Sequence, residues 1–169
     1  RVSEARNDPK SAASFYQSVL VSHPDAKIAP LALLGRGTNR ILMGDHEAGL
    51  SDMQDLVARI NRNPARAVFR GEVLAGLQRV ADALATAGNY QGAIEAMTYE
   101  QQLDREPKPP YFARLGAVLE QRAEQVEKTL ADAPPADVVK REQQLRNLRL
   151  QAGEAFIAYA RSVTLTDDP

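Results

Sequence analysis

Two glycine turns, each set between apolar segments of helical spacing, constrain the fold of this chain more than any other feature. RILMGDHEAGLSDM occupies residues 40–53, and LATAGNYQGAIEAM occupies residues 84–97. In both segments an Asp or Asn follows the glycine, and a methionine stands nine residues after it. A chain that builds the same turn twice is expected to repeat one helical unit.

The second copy shows how such a turn works. Apolar or small residues recur every three or four positions on both sides of it, which predicts one buried face on each of two helices. Gly88 accepts the left-handed backbone that ends the first helix, and Asn89 is predicted to cap the second. Pro107 is predicted to stop that second helix, because a proline disfavours helix at the residue before it.

The first copy has the same organisation, with its turn at Gly44 and Asp45 and a closing proline at Pro64. A half copy precedes it, in which Asp8 and Pro9 form a helix start. These patterns predict three segments: a half repeat at 8–24, a repeat at 28–63 and a repeat at 66–107.

The last third of the chain lacks a turn glycine at the expected place. Pro134 and Pro135 force a break instead, and one apolar stripe continues beyond them. Residues 110–164 are therefore predicted to form a long helical hairpin. We interpret residues 1–169 as one helical domain and, from its first residue Arg1 and its ending VTLTDDP, as a fragment of a longer chain.

Three segments carry a resemblance to the tetratricopeptide repeat (TPR) family: AASFYQSVLVSHPD (12–25), RGTNRILMGDHEAGLSDM (36–53) and LQRVADALATAGNYQGAIEAM (77–97). The resemblance implies an all-α fold, a right-handed α-solenoid of stacked antiparallel hairpins that ends here in the long hairpin. The sequence departs from the family at its longer repeat interval. It also has Arg40 where a large apolar residue is usual, Gly49 where alanine is usual, and Glu100 where a small residue is usual.

Catalytic and cofactor motifs are missing from the sequence. It has no cysteine, no Gly-x-Ser-x-Gly elbow and no phosphate loop, and neither His23 nor His46 belongs to a cluster with metal-ligand spacing. We therefore expect no enzyme activity, no metal and no cofactor. A net charge of -1 and arginines without interleaved aromatic rings argue against nucleic acid, and no apolar run is long enough for a membrane span. The sequence does not distinguish between the cytoplasm and the bacterial envelope as the location of the protein.

The resemblance also implies a concave groove lined by the first helix of each unit. An amphipathic helix or an extended peptide is the expected ligand. For Leu34, Ile41 and Leu42 the alternative is that they are core against a neighbouring hairpin. Second-helix residues such as Asp52, Glu95 and Gln102 are expected to be solvated on the outer face. The groove positions are Leu34, Thr38, Ile41, Leu42, Gln78, Asp82, Ala85, Ala117 and Glu120.

Two functions of different classes follow from this pattern. The first is a non-catalytic protein–protein interaction scaffold that binds a peptide or partner protein in its groove. The alternative is a structural spacer or self-assembly segment of a larger multi-repeat protein, in which the long hairpin docks to another copy. A third and weaker hypothesis is a helical domain appended to an enzyme.

Overall fold

The computed structural model describes residues 8–63 and 68–164 of this chain, and within those ranges it is all-helical, with no strand. The chain divides into two compact units after Arg105. The helices of the first unit are α1 (Pro9–Ser22), α2 (Ala29–Leu42), α3 (His46–Arg62), α4 (Arg70–Thr86) and α5 (Tyr90–Leu103). Those of the second are α6 (Pro109–Lys128) and α7 (Pro135–Thr164).

The two glycine turns have the conformation that the sequence predicts. Gly44 has a φ of 86° and Gly88 a φ of 75°, both in the left-handed region that L side chains rarely adopt. In each copy the residue after the glycine donates its N–H to the carbonyl five positions earlier, at 2.9 Å. This is the hydrogen bond of a Schellman ending, which satisfies a carbonyl left over at the end of the helix.

Side-chain caps start three of the helices. Asp8, Asp45 and Asn89 each accept a hydrogen bond from the N–H three residues further on, at 3.1, 3.4 and 3.0 Å. Each bond satisfies one of the N–H groups that a helix start leaves unpaired. The predicted capping roles of Asp8 and Asn89 are confirmed.

In the first unit, α2 pairs with α3 and α4 pairs with α5. The two hairpins also pack like against like, α2 on α4 and α3 on α5. Helix α1 differs, because α2 is the one helix of the described chain against which it packs extensively. The largest fully buried apolar side chains of this unit form its core: Leu33, Met53, Leu56, Ile60, Leu77, Leu84 and Met97.

The two turns touch each other through His46 and Asn89. The Nδ2 of Asn89 lies 3.0 Å from the Nδ1 of His46. Since the Oδ1 of Asn89 already accepts from the N–H of Gly92, its Nδ2 is the donor and the imidazole accepts. This contact ties the start of α3 to the start of α5.

Helices α2 and α3 approach closely at two glycines. A Cβ at Gly37 would lie 2.9 Å from the carbonyl oxygen of Gly49, and a Cβ at Gly49 would lie 2.9 Å from the carbonyl oxygen of Gly37. Real Cβ atoms do not approach other heavy atoms this closely. The glycine at position 49 is therefore a requirement of this helix crossing.

Asp52 does not lie on a solvated outer face, and that expectation is wrong. Its side chain is 5% exposed and accepts from the Nε of Arg36 at 2.9 Å and from the Nη1 of Arg40 at 3.0 Å. Arg36 also pairs with it through Nη2 and reaches Gln17 of α1. Arg40 thus joins a polar network that links three helices.

The long repeat interval is taken up largely by helix length, since α3 and α4 have 17 residues each. Pro64 and the first residues of the repeat predicted at 66–107 lie outside the described residues. Helix α5 ends at Leu103, four residues before Pro107.

The second unit is a hairpin of two antiparallel helices. Phe156 of α7 packs on Gly116 of α6, where a Cβ would lie 2.7 Å from its ring. Nearer the turn, Arg149 pairs with Glu127 at 2.8 Å. The break between the helices coincides with the proline pair that the sequence places there, because α7 begins at Pro135.

Candidate functional site

The first unit contains a groove formed by residues of three helices. Helix α2 is its floor, and α1 and α4 are its walls. It encloses about 980 Å³, which is at the upper end of the range for ligand pockets. Along the floor it runs from Ile28 to Leu42, a rise of about 21 Å at the helical 1.5 Å per residue.

Glycines allow both walls to pack closely against the floor. The ring of Tyr16 in α1 packs directly over Gly35. On the other side, Leu34 packs over Gly76 of α4, where a Cβ would lie 2.6 Å from its methyl carbons. The two walls therefore contact α2 at adjacent residues, Leu34 and Gly35.

Apolar side chains dominate the inner surface of the groove. Phe15, Ile28 and Leu42 are 56%, 55% and 63% exposed, although large apolar side chains normally gain by leaving water. Val19 and Leu31 lie between them, half-buried. A cluster of exposed apolar groups inside a concavity is typical of a surface that binds another molecule.

Three charged side chains line the groove. Asp8 stands on the α1 wall, and hydrogen bonds from the side chain and then the N–H of Ser11 hold its pKa below the usual range of a carboxyl group. Glu72 and Arg79 stand on the α4 wall and are exposed. Neither of these two makes a hydrogen bond or ion pair with any described residue.

The structure brings together three of the groove positions that the sequence predicts. Leu34, Thr38 and Leu42 all line the groove, because a spacing of four keeps them on one face of α2. Leu42 is exposed rather than core, whereas Leu34 is buried in the contact with α4. Thr38 and Leu42 are therefore the two predicted positions that remain accessible on the floor.

Other predicted groove positions lie elsewhere. Ile41 is buried against Gly49, since it faces α3 and not the groove. Gln78 and Asp82 are exposed on α4 and Ala85 is half-buried there, but none of these three lines the groove. In the second unit, Ala117 is exposed and Glu120 is half-buried on α6.

Part of the groove was not foreseen from the sequence. Phe15, Tyr16 and Val19 of α1 form a whole wall, although none of them is among the groove positions that the sequence predicts. Ile28, just before α2, closes one end. Phe15 and Tyr16 are adjacent aromatic residues, which cannot both face one core, and that adjacency was the available signal.

Helix α7 of the second unit carries a separate apolar surface. Its buried residues, Leu148, Ala152 and Ala155, share the face that meets α6. Val139, Leu150 and Ile157 are 73%, 64% and 53% exposed and lie on the opposite face at helical spacing. We call these three residues the outer stripe of α7. A Cβ at Gly153, between Leu150 and Ile157 in the sequence, would meet nothing within 4 Å.

Across residues 8–63 and 68–164 there is no group of three or more His, Asp or Glu side chains placed to hold a metal ion. None of the helices there is both long enough and apolar enough to cross a lipid bilayer.

Comparison with known proteins adds no family assignment. A scan against protein-family models finds no match to this chain, and a search of curated proteins finds no matching sequence.

Proposed function

We propose that this chain is a non-catalytic protein–protein interaction scaffold, and that the groove of its first unit binds a peptide segment of a partner protein. The observation that carries the proposal is the groove itself, with Phe15, Ile28 and Leu42 exposed along about 21 Å of concave surface. A surface of this kind leaves apolar side chains in water until a ligand covers them.

The like-against-like packing of the two hairpins supports the finer architecture that goes with this function. We propose a short right-handed α-solenoid similar to tetratricopeptide repeats, in which the first helices α2 and α4 line the inner surface. Adjacent hairpins of such an array bury each other's apolar faces, so the binding surface is held by a rigid set of helices.

Leu42→Glu is expected to weaken partner binding at least about tenfold, because it replaces an exposed apolar contact on the floor of the groove with a charge. The side chain is 63% exposed, so the melting temperature and helicity should stay close to those of the original chain. The measurement is affinity capture from lysate, with captured proteins quantified against a Gln102→Glu control.

Gln102 is an exposed residue of α5, outside the groove, and changes charge in the same way. Proteins that bind through the groove should be lost with Leu42→Glu and kept with Gln102→Glu. Equal capture by the two variants would contradict a binding role for the groove.

A second candidate function is self-assembly through the second unit, and the outer stripe of α7 is the observation that favours it. Two copies that covered this stripe would remove Val139, Leu150 and Ile157 from water. This candidate predicts that light scattering at rising concentration shows a mass above that of one chain, and that Leu150→Glu restores the single-chain mass. A single-chain mass at every concentration would contradict it.

A further inference from the structure

The groove also indicates the backbone conformation of its ligand, and this inference rests on the proposed binding function. We propose that the occupant is an amphipathic α-helix of about four turns, with one basic and one acidic residue seven positions apart along one flank. Its apolar face covers Phe15, Ile28 and Leu42.

Hydrogen bonding favours a helix over an extended peptide. The floor and both walls are α-helices, whose backbone N–H and C=O groups bond within their own helices. An extended segment filling 21 Å would bring about six residues, and hence about twelve backbone polar groups that need partners. A helical ligand satisfies these groups internally and presents only side chains to the groove.

The polar side chains of the groove are too few to serve an extended backbone. Asp8 is occupied by Ser11, and Asn39 donates its Nδ2 to the carbonyl oxygen of Gly35 at 2.7 Å. Tyr16 is likewise engaged within the protein. With Thr38 and the two charged residues of the α4 wall, the groove has six polar side chains, and three of these are already engaged, so they do not match the dozen backbone groups of an extended ligand.

The size of the groove suits a half-embedded helix. A helix 21 Å long and about 10 Å across occupies a cylinder whose lower half is roughly 800 Å³. The groove encloses about 980 Å³. The upper half of the ligand would then face water, so the ligand needs one apolar and one polar face, as an amphipathic helix has.

Charge complementarity predicts which charged residues the ligand carries along its flank. Glu72 and Arg79 stand on the α4 wall on either side of Gly76, about 10 Å apart along the helix axis. Both lack a partner among the described residues. A basic ligand residue opposite Glu72 and an acidic one opposite Arg79 would pair them, and two positions seven apart on a helix lie on the same side at this distance.

The test uses two displayed libraries of 14-residue segments, selected on the full chain. Both carry leucine at positions 1, 4, 8 and 11 and random charged or neutral residues at positions 3 and 10. The second library differs by a proline at position 7, which breaks a helix. Selected clones are scored for binding to the original chain, to Leu42→Glu and to the double variant Glu72→Lys with Arg79→Glu.

The expected result is that clones sensitive to Leu42→Glu come from the first library and bind about a hundredfold more tightly than their proline counterparts. They should carry opposite charges at positions 3 and 10, and the double variant should select the reversed order of charges. Groove-dependent clones that tolerate proline, or an order of charges that the double variant leaves unchanged, would overturn the helical ligand while leaving groove binding intact. If neither library yields a clone whose binding depends on Leu42, the proposed function is overturned as well.

Discussion

Asp52→Ala is expected to lower the free energy of unfolding of the first unit by about 2–4 kcal/mol, because it leaves two arginines without their counter-ion between packed helices. Arg36 hydrogen-bonds Asp52 through both Nε and Nη2, and Arg40 adds a third bond at 3.0 Å. Removal of one partner from a buried pair costs more than the pair itself contributes. The side chain of Arg40 is 29% exposed, so water compensates part of its loss.

Asp55→Ala is the matched control, on the same helix. Asp55 pairs with Arg59 one turn away at 3.0 Å, and its side chain is 45% exposed. An exposed pair of this kind contributes at most about 0.5 kcal/mol. Chemical denaturation of both variants measures the difference directly. Similar losses for the two variants would show that Asp52 behaves as a surface carboxylate.

Gly49→Ala is expected to destabilise the first unit by about 1–3 kcal/mol, although alanine is the better helix former by about 1 kcal/mol. Its Cβ would meet the side chain of Ile41 and lie 2.9 Å from the carbonyl oxygen of Gly37. A flexible side chain could turn aside, but the carbonyl belongs to the backbone of α2. The two helices must therefore move apart, and the packing around them is lost.

Gly71→Ala separates packing from helix propensity. Gly71 lies near the start of α4, and a Cβ there meets nothing within 4 Å. The change should leave stability unchanged or raise it by a few tenths of a kcal/mol. Thermal melting of both variants gives the comparison. A gain in stability at position 49 would contradict the close approach of α2 and α3.

Features encoded within a few residues could be predicted from the sequence. Gly44 and Gly88 end helices in the left-handed region, and Asn89 caps the helix that follows, because each role depends only on local backbone geometry. The all-helical character follows from spacing of three and four between such signals. Leu42 was predicted as a groove residue from the resemblance to tetratricopeptide repeats, and it lines the groove beside Thr38, four residues earlier on the same face of α2.

Features that depend on contacts between helices were harder to predict. Asp52 has no local signature of burial, because the arginines that neutralise it come from another helix. The unusual Arg40 was a signal of that network, yet it could be interpreted only once the crossing of α2 and α3 was known. Ile41 was placed in the groove beside Leu42, although consecutive helical residues point about 100° apart.

The attachment of α1 has a thermodynamic consequence for the groove. This helix packs extensively on α2 alone, so its local opening costs less free energy than unfolding of the whole unit. A molecule lying in the groove would touch α1, α2 and α4 together and would bind only when α1 is in place. Occupancy therefore adds RT ln(1 + [L]/Kd) to the opening free energy of α1. On the proposed function, ligand binding and slow amide exchange in α1 would be two expressions of one linked equilibrium.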